Sequence, residues 1–163
     1  VLPVCNLASV PVNEYRFRSV WSIAAAPGAV FDALVDLAGY PAWWPDVRSV
    51  SEVDEDTAAV VCQAVLPYRL RLHMRRVVQD APNGRLRVDL TGDLVGYIGA
   101  LVDTDQGRTR LKIAQEVVVT RPLLRLMGPV ARPLFVANHG AMMWRGQRGL
   151  RKHLAAAARP APE

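Results

Sequence analysis

The strongest constraint on this chain is a period-two alternation that recurs through its middle and then gives way to a helical period. In residues 68–78, Tyr68, Leu70, Leu72 and Met74 fall on one side, and Arg69, Arg71, His73 and Arg75 on the other. Successive side chains of a strand point to opposite faces, so this pattern makes a strand with one wet and one apolar face. The same division recurs with Leu86, Val88 and Leu90 against Arg85, Arg87 and Asp89. It recurs again with Leu111, Ile113, Gln115 and Val117 against Arg110, Lys112, Ala114 and Glu116. Turn-forming residues at 54–56, near Pro67, and at 81–84, 91–93 and 105–107 divide residues 47–119 into about six antiparallel strands. An earlier strand, residues 15–24, places Tyr15, Phe17, Ser19, Trp21 and Ile23 on one side. A sheet with a single apolar face needs a cover.

The cover is the C-terminal segment. A helical stretch starts at Pro122, is interrupted near Gly128-Pro129 and Pro133, and continues as a long helix from about residue 134 to Ala157. On a helical wheel Val136, His139, Met143, Gly146, Leu150 and Leu154 share a stripe, with Phe135 and Met142 beside it. Arg145, Arg148 and Lys152 lie opposite, toward water. After the first strand, Pro27 opens a short helix whose apolar positions are Val30, Phe31, Leu34, Val35 and Ala38, and Gly39 ends it. The aromatic, proline-bracketed run Gly39–Pro45 makes a second short helix or a tight loop. The fold class is therefore α+β: a curved antiparallel sheet of about seven strands gripping a long C-terminal helix, with two short helices after the first strand. Gly96 and Gly99 let the sheet bend. Residues 1–14 form an irregular arm, 15–157 a single domain and 158–163 a disordered tail.

A chain of 163 residues fits one domain and buries about 70% of its unfolded surface without needing a staple. With 51% hydrophobic and 21% charged residues it is neither disordered nor fibrous. No apolar run approaches the ~18 residues of a spanning helix, and the first residues lack the features of a signal peptide, so a cytoplasmic location is expected. Cys5 and Cys62 make no disulfide framework, and His73, His139 and His153 have no ligand spacing. No metal and no cofactor are expected. Nucleophile-elbow, phosphate-loop, dinucleotide and zinc-protease motifs are all missing.

The net charge of +5 is unevenly spread. Residues 1–105 carry nine basic and thirteen acidic side chains, whereas residues 106–163 carry eleven basic and two acidic. The stretch from Arg121 to Arg159 has no acid, which suits either a plain soluble surface or peripheral contact with an anionic membrane. The arginine-rich outer sheet face has no interleaved aromatics to stack bases, so no specific nucleic acid is expected.

Several segments carry a family resemblance. Ile23-Ala24-Ala25-Ala26-Pro27, Val30-Phe31, the run from Asp36 to Val47 through Trp43-Trp44-Pro45, and the tail from Asn138 to Leu150 resemble the polyketide cyclase/dehydrase family. That family belongs to the START-like, helix-grip superfamily. The resemblance covers roughly residues 15–157. It implies a cavity between sheet and C-terminal helix for a hydrophobic molecule such as a lipid, an isoprenoid or a polyketide, and a loop at Trp43 and Trp44 near its mouth. Because the superfamily holds carriers, receptors and cyclases, fold alone does not choose the activity.

The inward faces give the candidate ligand-binding residues. These are Leu70, Leu72, Met74, Leu86, Val88, Leu90, Ile98 and Val117 from the sheet, Phe135, Met142, Met143, Gly146 and Leu150 from the helix, and Trp43 and Trp44 from the loop. Apolar walls with a few placed polar groups are typical of ligand sites, and equally of an ordinary core. Two polar residues stand out as catalytic candidates. His139 lies on the buried stripe and has acid/base chemistry, or is a hydrogen-bonded core histidine; Gln115 projects inward and can orient a carbonyl or hydroxyl. Gly146 leaves open volume or permits close helix packing, and Gly146 and Gly149 each cost a helix about 1 kcal/mol. One of the two tryptophans plugs the core and the other forms a gate. The expected function is a carrier or sensor of a hydrophobic small molecule, acting as a monomer or homodimer; the alternative is a cyclase/aromatase-like enzyme using the same cavity.

Overall fold

In the computed structural model, which describes residues 13–159, the alternating segments pair into one seven-stranded antiparallel sheet. The strands are β1 (Glu14–Ile23), β2 (Val47–Glu52), β3 (Thr57–Cys62), β4 (Leu70–Asp80), β5 (Arg85–Gly92), β6 (Leu94–Asp105) and β7 (Arg108–Val119). Their order across the sheet is β1-β7-β6-β5-β4-β3-β2, so β2 to β7 form a meander and β1 closes on β7. Between β1 and β2 run α1 (Pro27–Val35), a 3-10 turn (Leu37–Gly39) and α2 (Tyr40–Trp43); after β7 come α3 (Pro122–Leu126) and α4 (Gly128–Ala157). The α+β helix-grip layout expected from the sequence is the observed one. The expected arm lies outside the described residues except Asn13 and Glu14, and Glu14 already belongs to β1; the expected tail lies outside them from residue 160.

Register positions the inward side chains in rows. Phe17 on β1 lies opposite Gln115 on β7, which lies opposite Ile98 on β6, which in turn faces Val88 on β5. The sheet bends where its backbones crowd. Gly96 has φ +152°, and a Cβ there would collide with the Glu116 carbonyl oxygen, so only glycine fits. A register shift between Arg76 and Val78 adds a bulge to the β4–β5 pair. On the outer face the basic rows are offset by acids: Arg16 pairs with Glu14 at 2.8 Å, Arg18 with Glu116 at 3.1 Å and Lys112 with Asp103 at 2.5 Å.

The helix α4 departs from expectation in three ways. It begins at Gly128 rather than near residue 134, with Pro133 inside it. Pro133 removes one amide donor close to the start of a 30-residue helix, and the remaining turns carry on across it. Val136 is 46% exposed instead of inward, because the inward seam runs through Phe135, His139, Met142, Met143, Gly146, Leu150 and Leu154, one residue round the helix. Arg145 does not point to water either. Its guanidinium reaches the carboxylate of Asp46, with Nη2 at 2.6 Å from Oδ1 and Nε donating to Oδ2 at 3.0 Å. Asp46, only 2% exposed, sits just after α2, and no pattern in the sequence marks it as a buried acid.

The main core packs Trp21, Ile23, Phe31, Trp43, Leu111, Leu150 and Leu154 together. Ile23, Leu111 and Leu150 are almost wholly buried, each contributing about 1.5–3 kcal/mol by leaving water. This core ties α1, α2 and the second half of α4 to one end of the sheet. It leaves the first half of α4 facing the other end.

Candidate functional site

Between the concave sheet face and the first half of α4 lies a cavity of about 460 Å³. Its floor is carbon: Leu70, Leu72 and Met74 of β4, Leu86, Val88 and Leu90 of β5, Ile98 of β6 and Val117 of β7. Its roof is Phe135, His139, Met142 and Met143 of α4, and Trp44 closes one side. Period-two alternation on four strands and three-to-four spacing on one helix suffice to aim these side chains inward. That is why the sequence identifies them.

Three of the expected lining residues lie elsewhere. Trp43 and Leu150 are in the main core. Gly146 is packed rather than open: a Cβ there would meet the Trp44 indole at 2.5–2.9 Å. Gly149 is tighter still, and a Cβ there would run into the Trp43 carbonyl oxygen. The two helix glycines therefore make the notch that receives the two tryptophans. Trp44 forms part of the cavity wall. Its Nε1 donates to the Met142 carbonyl at 3.1 Å, and its ring stacks on Trp43 and meets Trp21 edge-on.

The two polar candidates come together. His139 Nε2 lies 3.0 Å from Gln115 Oε1, and the imidazole stacks flat on Phe17 at a centroid distance of 3.7 Å. Burial lowers the His139 pKa to about 4, so the ring is neutral at pH 7. With the Gln115 oxygen toward the ring, the tautomer that makes this bond is the one with its proton on Nε2. The Gln115 amide NH₂ has no hydrogen-bond partner among the described residues and is not among the buried orphan atoms, so it opens on the cavity.

Residues around this pair extend a polar patch at one end of the cavity. Tyr15 stacks beside Phe17, and its hydroxyl is buried with no partner among the described residues. Burial raises its pKa, against the pull of the Arg132 guanidinium, which lies 4.6 Å from the ring centroid. Asn138 clamps the loop between β3 and β4, accepting from Val65 and Leu66 backbone amides at 2.9 and 3.0 Å. Its amide also donates to the Tyr68 hydroxyl at 3.4 Å. Tyr15 and Phe17 are legible as inward residues of the first strand, yet nothing in their spacing marks them as neighbours of His139. Cys62 also lines the wall, but burial pushes its thiol to about 12, which keeps it protonated and a poor nucleophile at neutral pH.

The rim has the opposite character. Asp36, Glu52, Asp54, Glu55 and Asp56 surround the opening beside the β2–β3 turn, with Arg76 paired to Asp56 at 2.8 Å. Asp46 lies behind the wall, where burial raises its pKa and Arg145 pulls it back. Among the described residues no group of His, Cys, Asp and Glu is placed to hold a metal ion, and no helix is long and apolar enough to cross a membrane.

Comparison with known proteins follows this geometry. A protein of Thermus thermophilus superposes with a TM-score of 0.78 at 20% identity, covering 89% of this chain and 100% of that one. The Zhui aromatase/cyclase of Streptomyces sp. R1128 gives 0.73 at 18% identity, over 91% and 98%. A START superfamily protein of Mycobacterium smegmatis gives 0.69 at 13% identity, over 88% and 99%. At these identities the likeness is one of fold. A search of curated protein sequences gives no match. The model of the family described as polyketide cyclase / dehydrase and lipid transport matches residues 23–145, the span that carries α1, the paired tryptophans, the whole meander and most of the inward seam of α4. This chain belongs to that polyketide cyclase/dehydrase and lipid transport family.

Proposed function

We propose that the protein binds a hydrophobic small molecule, of lipid, isoprenoid or polyketide type, between the sheet and α4, as a carrier or sensor. The observation that carries this reading is the cavity of about 460 Å³ with its carbon floor, in the range of small-molecule sites. Membership of a family whose description includes lipid transport supports it. Solvent extraction of the purified protein followed by mass spectrometry is the test, and an apolar compound in stoichiometric amount is expected. A protein that is empty and also fails to take up fluorescent sterols and polyaromatics would falsify the reading.

The His139–Gln115 pair favours a second reading, a cyclase/aromatase-like enzyme that folds a poly-ketone chain in the same space. There His139 would move protons and Gln115 would orient a carbonyl. The pKa of about 4 counts against it, since so weak a base is poorly matched to abstracting protons at neutral pH. Turnover of a poly-β-ketone that persists unchanged in His139→Gln excludes this mechanism; loss of turnover with the fold intact supports it.

A further inference from the structure

Helix α4 is apolar on two sides. Its inward seam belongs to the cavity and the core. On the opposite side Val130, Leu134, Ala137, Ala141 and Trp144 succeed one another at alternating steps of four and three, which places them on one face. Val130 is 85% exposed, Leu134 58% and Trp144 57%, and Leu126 at the end of α3 is 82% exposed. A helix packed on one side ordinarily turns polar residues to water, yet this one turns out valine, leucine and tryptophan. Exposed apolar surface of this kind, grouped rather than scattered, marks a contact with something outside the fold.

Charge decides what that contact is. No acidic residue occurs from Arg121 to Arg159. Arg125, Arg148 and Lys152 are exposed along this segment, and the Arg148 guanidinium lies 5.1 Å from the centroid of the Trp144 ring. A second copy laid helix to helix on this face would set arginine against arginine, with no carboxylate in either segment to pair them. An anionic bilayer meets both demands at once. Its headgroups take the basic side chains, and the boundary with the acyl chains takes the aliphatic ones. Tryptophan concentrates at that boundary, because its ring is apolar and its N–H polar.

We propose that the outward face of α4, from Val130 to Trp144, docks on the surface of an anionic membrane, with the helix lying in the plane of the interface. The docked protein rests on the outer side of the helix that roofs its cavity, and the docking does not depend on what the cavity holds.

Flotation with phosphatidylcholine vesicles, with and without phosphatidylglycerol, tests it. At low salt the protein is expected to bind the anionic vesicles at least tenfold more tightly than the neutral ones, and to lose most of that advantage at high salt. Brominated acyl chains should quench its fluorescence, and most of the quenching should vanish in Trp144→Phe, since Trp21 and Trp43 are buried. The double variant Leu134→Ser with Trp144→Ser should bind anionic vesicles at least tenfold more weakly. It should melt with the wild type, because both side chains stand in water. Equal binding to the two vesicle types, or anionic binding that survives in the folded double variant, overturns the proposal. A melting temperature lowered by the two substitutions also overturns it, since the face would then be packed against the protein itself. So does a wild-type dimer that ignores vesicles and that the double variant dissociates. The vesicle comparison and the quenching remain decisive even if the double variant does not fold.

Discussion

Toward its C-terminal end α4 is pressed against α2 and the loop that follows it, with Gly146 and Gly149 touching Trp44 and Trp43 and with Leu150 wholly buried. Nearer its start the same helix stands off the same sheet, and Phe135, His139 and Met142 face open volume. The two halves share one strip of sequence at helical spacing, yet one makes core and the other makes a cavity. What separates them is side-chain volume at the contact. Glycines let the second half approach until it meets a backbone carbonyl. Stacked aromatics, Tyr15, Phe17 and Phe135 with the His139 ring, prop the first half away from the strands. Tight interiors tolerate no extra atoms, whereas a cavity wall already lacks contacts on one side.

The largest expected effect comes from truncating one side chain in each half. Leu150→Ala should lose about 3 kcal/mol, the cost of a new hole in a closed core. Met142→Ala should lose about 1 kcal/mol, since its removal enlarges space that already exists. Chemical denaturation of the pair decides the matter, and equal losses would mean that the first half is as solidly packed as the second. Next comes Gly149→Ala. Overpacking against the Trp43 carbonyl is expected to cost about 3 kcal/mol, less about 1 kcal/mol of recovered helix propensity, for a net loss near 2 kcal/mol. A melting temperature that rises instead would show that α4 and the Trp43 backbone separate easily, and the contrast between the halves would shrink.

The smallest effect is a pH dependence confined to the cavity half. The His139 pKa in the folded protein is about 4, below the usual 6.5, so the unfolded chain takes up the proton first as pH falls. The histidine's contribution is intact above about pH 6.5 and lost progressively as pH drops toward 4. Between pH 7 and 5.5 this amounts to about 1 kcal/mol. Thermal melts of the wild type should therefore steepen with acid relative to His139→Gln. Parallel curves would place the imidazole in water rather than in the wall.

Much of the site is legible along the chain. Alternation alone aims Leu70, Leu72, Met74, Val88, Ile98, Gln115 and Val117 inward, and the helical wheel puts His139 and Met142 over them. The pairing of His139 with Gln115 is not legible in that way. It depends on the register that sets Phe17 beside Gln115 and on how far α4 stands above that row. Asp46 and Arg145 show the same limit more sharply. Read along the chain, one is an acid after a Trp-Trp-Pro run and the other a basic residue on the helix face expected to meet water. Only docking of the loop after α2 onto α4 buries the acid and turns the arginine toward it.

By itself the sequence determined the properties that repeat over short distances. These are which residues are strand and which helix, which face of each is apolar, where the turns fall, and hence a one-faced sheet that must be covered by the last helix. Those are local consequences of backbone period and solvent preference, and they need no knowledge of what lies across the fold. The tertiary structure alone decided the distances: that Gly146 and Gly149 are contacts and not space, that Trp44 is pinned, and that a cavity lies under one half of the helix only. Such features are set by the balance of side-chain volumes between elements far apart in sequence, and no period along the chain records that balance.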